Sequence, residues 1–341
     1  MKNRQYIIIF FFTAITLGLS IYSYIGNFDS EKMDSSGNAV SSSDGMDESY
    51  FKIVQLYLLS KGKPFLQLES TDLTLSKENT EVVANYPNGV IYKSSEEDPN
   101  KAEEPIYFTS KTSEIFSARK ELFLKDTVNI TVGDSNLKAN KVSIFNSGNH
   151  LEAEGGVRTQ SVDPKTDDQI LISSDFAIYR PKEQFFEYQK HVSGTVQRRR
   201  KYEESVSFTT DLLTLTTAQS KVEMKGNVTF KKGNLDASAN LGTVFLENYN
   251  KKLKYYSLSD DVRLQETLNI GGKPRLRKAF SEKLEGLISE RKIILTGLPK
   301  VFQEKDVIKG NRITIRENIE TVEVDDANTN ITLERDEDGK M

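Results

Sequence analysis

The stretch KVEMKGNVTFKKGNLDASANLGTVFL, Lys221 to Leu246, decides the fold class. Val222, Met224, Val228 and Phe230 share one parity, while Glu223, Lys225, Asn227 and Thr229 take the other. A period of two is the pattern of a half-buried strand. Gly226 falls on the apolar parity, where a glycine suits a bend, a bulge or a close backbone approach. Lys231-Lys232-Gly233-Asn234 reads as a polar turn, after which Leu235, Ala237, Ala239 and Leu241 resume the alternation in a second strand. The unit is a hairpin.

The hairpin recurs. A Gly or Asp just ahead of a Val that opens an apolar alternation appears in KDTVNITV at Val128, EGGVRT at Val157 and SGTVQ at Val196. It returns in KGNVTF at Val228, SDDVRL at Val262 and TGLPKVFQ at Val301. The spacing of roughly 30 to 40 residues is typical of stacked supersecondary repeats. Between these marks lies a second signature, a small residue followed by aliphatics or aromatics, as in NLKANKVSIF from Asn136, ISSDFAIYR from Ile172 and VIKGNRITIREN from Val307. One such repeat cannot bury its own apolar face, so the copies must stack. The expected body is all-β, elongated, with sheet facing sheet.

Composition narrows the function classes. The chain has 341 residues, of which 37% are hydrophobic and 28% charged, enough for a substantial core and too apolar for wholesale disorder. A formal charge of -4 from intermixed acids and bases leaves no basic field for a nucleic-acid backbone. With no cysteine and two histidines, His150 and His191, there is no thiol nucleophile and no Cys/His zinc set. Neither G-x-S-x-G, H-E-x-x-H nor a phosphate-binding G-x-x-x-x-G-K-[ST] loop occurs. No catalytic residue, metal site or cofactor is expected, and the chain is read as a non-enzyme.

Residues 5–28 carry no charge, a membrane-length run flanked by Lys2 and Arg4 before it and Asp29 and Glu31 after it. A bilayer core needs about 20 helical residues, and the positive-inside rule leaves the N-terminus cytoplasmic. Residues 1–28 are therefore expected to form a single-pass inner-membrane anchor with the body in the periplasm, a cleaved signal peptide being the rival reading. Residues 29–49, rich in Ser, Gly, Asp and Glu, read as an acidic flexible tether. From Phe51 to Leu68 two strands are favoured over a short helix, because Gly62 and Pro64 punctuate the run. Residues 334–341 read as a frayed tail.

At this point the residues resemble a known family. ILTGLPKVFQEKDVIKGNRITIRENIETVEV, Ile294 to Val324, resembles the OstA-type repeat of the bacterial lipopolysaccharide-transport proteins LptA and LptC. GKPFLQLESTDLTLSKENTEVVANYPNGVIY, Gly62 to Tyr92, is similar to the start of the LptC periplasmic domain. The resemblance divides the body into an LptC-like portion, residues 50–160, and an OstA/LptA-like portion, residues 161–333, that continues it. It implies an open β-jelly-roll, two antiparallel sheets forming a V-shaped trough for the acyl chains of lipopolysaccharide. It also implies an inner-membrane ABC transporter as donor. The acceptor would be an LptA-like jelly-roll or an outer-membrane LptD-like protein, docked strand to strand.

For the trough lining, the repeats nominate Val222, Met224, Val228, Phe230, Leu235, Leu241, Val262, Leu264, Ile293, Leu295, Val301, Ile313 and Ile315. Ordinary sandwich core is the competing reading of each. For edge docking, the candidates are Ile53, Leu66 and Leu68 at one end and Val322 and Val324 at the other. Arg198 to Lys201, and Lys273, Arg275, Arg277 and Lys278, read as solvated hairpin turns or as contacts to lipid phosphates. The acidic pairs Asp167-Asp168, Asp260-Asp261 and Asp325-Asp326 read as turns or solvated edges. An anchored β-solenoid, acting as an envelope scaffold or on polysaccharide, is the alternative function.

Overall fold

The computed structural model describes residues 49–60, 63–76, 81–92, 104–163, 166–199, 204–246, 253–304 and 306–325. The expected anchor, nearly all of the tether and the C-terminal tail lie outside these residues. No helix among the described residues is long and apolar enough to cross a membrane. The described chain is an antiparallel meander of 21 strands. It opens with β1 (Ser49–Ser60), β2 (Lys63–Leu75), β3 (Glu81–Asn85), β4 (Asn88–Ile91), β5 (Ile106–Thr109) and β6 (Thr112–Phe116). Long strands follow: β7 (Glu121–Val132), β8 (Ser135–Phe145), β9 (His150–Val162), β10 (Gln169–Arg180), β11 (Phe185–Gln197) and β12 (Val206–Thr216). Next come β13 (Lys221–Lys232), β14 (Leu235–Leu246), β15 (Leu253–Ile270) and β16 (Lys273–Leu287). The chain closes with β17 (Lys292–Thr296), β18 (Lys300–Gln303), β19 (Asp306–Lys309), β20 (Arg312–Arg316) and β21 (Val322–Asp325). The ladder passes residue 160 without a break, because β9 pairs with β10 from Leu151 to Val162.

A line of irregularities crosses the sheet at one level. In the odd-numbered long strands it is a pair of left-handed residues: Asp126-Thr127, Gly155-Gly156, Lys190-His191, Gly226-Asn227 and Asp260-Asp261. Each pair is followed by a buried valine, Val128, Val157, Val192, Val228 or Val262. The ladder register shifts at the same points. Bulges bend a strand and tighten its twist, so a row of them folds the sheet on itself. At Gly226 φ is +81°, and a Cβ there would approach Asp211 Oδ2 to 2.4 Å, so glycine relieves both the backbone and the close approach of the Asp211 side chain, where other strands carry Asp126, Lys190 or Asp260.

The even-numbered strands cross the same line differently. Buried Ser174, Thr210 and Ser281 each donate a hydroxyl hydrogen bond to the carbonyl two residues on, at 2.9, 3.1 and 3.0 Å. Ala139 and Ala239 occupy the same register. The following polar residue reaches the neighbouring crease, as Asp211 does to Asn227 Nδ2 at 2.8 Å and Asp175 to His191 Nδ1 at 2.8 Å. A side-chain hydroxyl that satisfies a main-chain carbonyl replaces the ladder bond lost at the bend. This is the physical content of the small-residue signature read from sequence.

Two expectations change here. The third repeat mark is not Gly194-Val196 but Lys190-His191-Val192, since the left-handed pair falls there and Val192 is the buried valine. Lys is rarely left-handed, which hid the mark. Leu241 does not face inward and is 43% exposed. β14 passes the crease at Asn240 without a left-handed pair, so its inward set moves from Leu235, Ala237 and Ala239 to Gly242, Val244 and Leu246. A one-residue change of phase sends every later side chain to the other face.

Because every long strand bends at the crease, its two halves enter two facing layers. The first layer takes, for example, 212–216, 221–225 and 241–246, and ends in β17, β20 and β21. The second takes 206–210, 228–232 and 235–239, and ends in β18 and β19. The crease is the closed side of the V, and the hairpin turns rim the mouth.

Candidate functional site

The space between the layers differs along the body. In the N-terminal strands the layers pack directly: Leu66, Leu68, Leu73, Ala84, Ile106 and Phe108 are at most 2% exposed. From β7 to β15 the layers separate around two adjoining cavities. One, of about 390 Å³, is walled by residues including Ile130, Val132, Leu137, Leu151, Tyr179 and Phe186. The other, of about 120 Å³, is walled by Ile170, Ile172, Val196, Val206, Phe208, Leu213, Leu215, Val222, Met224, Phe230, Val244, Leu246 and Leu253. Asp163 and Ile170 belong to both walls. An apolar concavity with a few polar groups at its rim is the usual form of a site for an apolar ligand.

The rim is fixed by charge. Arg198 donates from Nη1 to Asp168 Oδ2 at 2.7 Å, and the Arg199 amide donates to Asp168 Oδ1 at 3.1 Å, tying the turn after β11 to the turn after β9. Burial works to raise the Asp168 carboxyl, but the hydrogen bonds from Arg198, Arg199 and Thr166 together hold it below its ordinary value. Asp168 is 4% exposed, so neither it nor Arg198 is the solvated turn residue expected. Arg200 and Lys201 lie outside the described residues. Tyr188 is pushed up to about 12 by burial and stays neutral.

The second cavity ends at Phe230. Its ring stacks on Tyr256 of the opposite layer with centroids 4.7 Å apart. Tyr256 in turn lies over Gly286 of β16, where an added Cβ would come within 2.0 Å of the ring. Beyond this stack no residue of β16 to β21 lines either cavity. The layers there enclose a packed core in which Leu284, Ile293, Leu295, Val301, Ile313 and Ile315 are fully buried.

Over that core the turn from β20 to β21 folds across the mouth onto the second layer. Arg277, fully buried, bonds Glu266, also fully buried, from Nε at 3.2 Å and again from Nη2. Its Nη1 donates to the Ile319 carbonyl at 3.0 Å and its Nη2 to the Arg316 carbonyl at 3.2 Å. The Asn318 amide donates to Glu266 Oε1 at 2.8 Å, and Asn234 Nδ2 donates to Asn318 Oδ1 at 2.8 Å. Lys232 joins Glu317 at 2.6 Å and Glu204 at 3.2 Å. Burial, together with Glu317, Glu266 and Glu204 nearby, raises Tyr256, so its hydroxyl is neutral. Arg277 is thus neither a solvated turn residue nor free to meet a lipid phosphate. Its role was not legible in the sequence, because nothing in KPRLRK distinguishes Arg277 from Arg275 or signals a partner eleven residues upstream.

Of the nominated lining residues, the structure brings Val222, Met224 and Phe230 onto the cavity wall. Val228, Leu235, Val262, Leu264, Ile293, Leu295, Val301, Ile313 and Ile315 are ordinary core at 0–3% exposure, and Leu241 is outside. The wall residues missed, such as Ile172, Phe208 and Leu213, follow the same parity rule in β10 and β12. Of the edge residues, Ile53 is 91% exposed on β1, which pairs only with β2 among the described residues. Leu66 and Leu68 are not at an edge: β2 is flanked by β1 on one side and by β3 and β4 on the other. Val322 and Val324 lie on β21, which pairs only with β20 among the described residues.

A solved structure with which the chain aligns is LptH, the LptA homologous periplasmic component of the lipopolysaccharide transport device of Pseudomonas aeruginosa. The identity is 14% over 38% of this chain and 95% of that one, with a TM-score of 0.34. No curated protein sequence matches. The profile of the family described as LptA/(LptD N-terminal domain) LPS transport protein matches twice in tandem, at residues 107–206 and 207–321. With more than half of its length so matched, the chain belongs to the LptA/LptD N-terminal domain family of lipopolysaccharide transport proteins.

Proposed function

We propose that this protein is a non-enzymatic carrier that holds the acyl chains of lipopolysaccharide in the central cavities and passes the lipid toward the outer membrane. The observation that carries this reading is the pair of adjoining apolar cavities between facing sheets, in a chain of a lipopolysaccharide-transport family. One acyl chain of about a dozen methylenes exposed to water costs on the order of 10 kcal/mol, at ~0.8 per methylene. An apolar trough removes most of that cost. It supplies no work, so the reading includes an inner-membrane ABC transporter as the source of lipid and an anchor at residues 1–28 that keeps the body beside it.

The outer edges of β1 and β21, which meet no further strand among the described residues, are where neighbouring components, including an LptA-like jelly-roll or an LptD-like protein, would add strands. The cavity offers little for hydrolysis. Asp168 at its rim is held ionised by Arg198 and is a poor general acid.

A photo-reactive residue at Val222, half-buried on the cavity wall, tests the reading in living cells. Ultraviolet light should join lipopolysaccharide to this position, and not to Leu241 on the outer face. Equal capture at both positions, or capture of protein alone, would overturn the carrier.

A further inference from the structure

The turn between β20 and β21, residues 317–321, spans from one layer to the other at the place where the lipid path would continue toward the C-terminal edge. We propose that this turn is a releasable strap that stops cargo at the Phe230–Tyr256 stack, so that lipid advances beyond it only when the strap is displaced. The inference rests on the carrier reading and adds a point of control to it.

Three observations support a strap over a permanent plug. First, its attachment is polar throughout. Glu317 meets Lys232, Asn318 meets Glu266 and Asn234, and the Ile319 carbonyl meets Arg277. Glu320 adds Arg275 Nη1 at 2.7 Å and Gln303 Nε2 at 3.3 Å. Its one large apolar side chain, Ile319, is 50% exposed and does not insert between the layers. Polar contacts exchange with water at small net cost, whereas an inserted apolar side chain does not.

Second, the closed arrangement is imperfect. Glu317 Oε1 and the Tyr256 hydroxyl are buried with no hydrogen-bond partner among the described residues. Buried unpaired polar atoms favour whatever rearrangement wets or pairs them. Third, the Glu266–Arg277 pair gives the strap a fixed seat. It is fully buried between neighbouring strands of the second layer, and it presents Glu266 Oε1 to the Asn318 amide, Arg277 Nη1 to the Ile319 carbonyl of the strap and Arg277 Nη2 to the Arg316 carbonyl at the end of β20. A seat that stays whole while the strap leaves is what a two-position element needs.

The chain has no native cysteine, so Asn234→Cys with Asn318→Cys places a thiol on each side of the mouth. A short bis-maleimide then locks the strap down. Glu317→Ala with Asn318→Ala loosens it while leaving Glu266 and Arg277 intact. Photo-reactive residues at Val222, before the stack, and at Val324, beyond it, report how far purified rough lipopolysaccharide penetrates the full chain. Capture at Val222 should be the same in all forms. Capture of lipid at Val324 should be absent in the locked form and should rise about fivefold or more in the loosened form over the unlocked native chain.

Nitroxides on the same two cysteines give a readout that does not depend on lipid. Their distance should be short and single in the native strap and broad once Glu317→Ala is added. Lipid capture at Val324 in the locked form equal to that at Val222, or a distance unchanged by Glu317→Ala, would overturn the strap alone. Loss of capture at Val222 in every form would overturn the carrier reading and the strap with it.

Discussion

The central and C-terminal thirds of this sheet are built from the same repeat, with the same crease and the same inward parity, yet one encloses a cavity and the other a packed core. Around Val222 and Met224 the facing halves carry Val, Leu, Ile and Phe side chains and do not close upon one another. Beyond Phe230 and Tyr256 the layers meet, and their mouth is crossed by a turn seated on Glu266 and Arg277. Apolar parity therefore makes a surface that must be covered, without deciding whether protein or ligand covers it. The two regions differ at the mouth: next to β16 the turn at 317–321 crosses from one layer to the other, and next to β12 nothing among the described residues does.

The comparison is broken most forcefully at the buried pair. Arg277→Ala strands the Glu266 carboxylate in the interior and should cost about 3–5 kcal/mol in urea unfolding, whereas Glu266→Gln with Arg277→Met should recover much of it. A loss below about 1 kcal/mol for the single change would show that the pair does not hold the C-terminal layers together.

In the central third the balance reverses. Val222→Ala removes two methyl groups from a half-buried wall residue and should cost about 1 kcal/mol or less, because the layers are already apart there. Its effect on lipid capture should exceed its effect on stability, and the opposite ranking would place Val222 in the core and not on the cavity wall. The expected ratio separates the two thirds more cleanly than either number alone.

Acid should weaken the cavity rim through Asp168. The folded-state value of Asp168 is lowered from 3.8, so its pairing with Arg198 contributes stability above that pH, and this contribution is lost as the pH falls through the lower folded value. Asp168→Asn should unfold at a lower urea concentration at pH 7 and should lose less than the native chain between pH 5 and about pH 3. Equal acid sensitivity in both would remove Asp168 from the rim's electrostatics. The smallest effect is expected outside the trough: Leu241→Ser should change stability by about 0.5 kcal/mol or less.

Much of the architecture was legible residue by residue. Val222, Met224, Val228 and Phe230 alternate as a strand and face inward as one, and Gly226 marks the bend that its φ of +81° requires. Four other repeat marks, at Val128, Val157, Val262 and Val301, fall on buried valines. The failures have local causes. Lys190-His191 takes a left-handed pair that composition does not advertise. Leu241 changes face because β14 crosses the crease one residue out of step with β13. Leu66 and Leu68 read as an edge only because the strands that flank them come from both sides of β2.

By itself, then, the sequence determined a stack of bent antiparallel strands with one apolar face, because side-chain parity and left-handed propensity are properties of consecutive residues. Only the tertiary structure decided where that face is filled by protein and where it is left open. The deciding contacts, Phe230 with Tyr256, Lys232 with Glu317 and Arg277 with the Ile319 carbonyl, join residues from 26 to 85 positions apart. No local pattern encodes which of two equally apolar strand faces will meet its opposite.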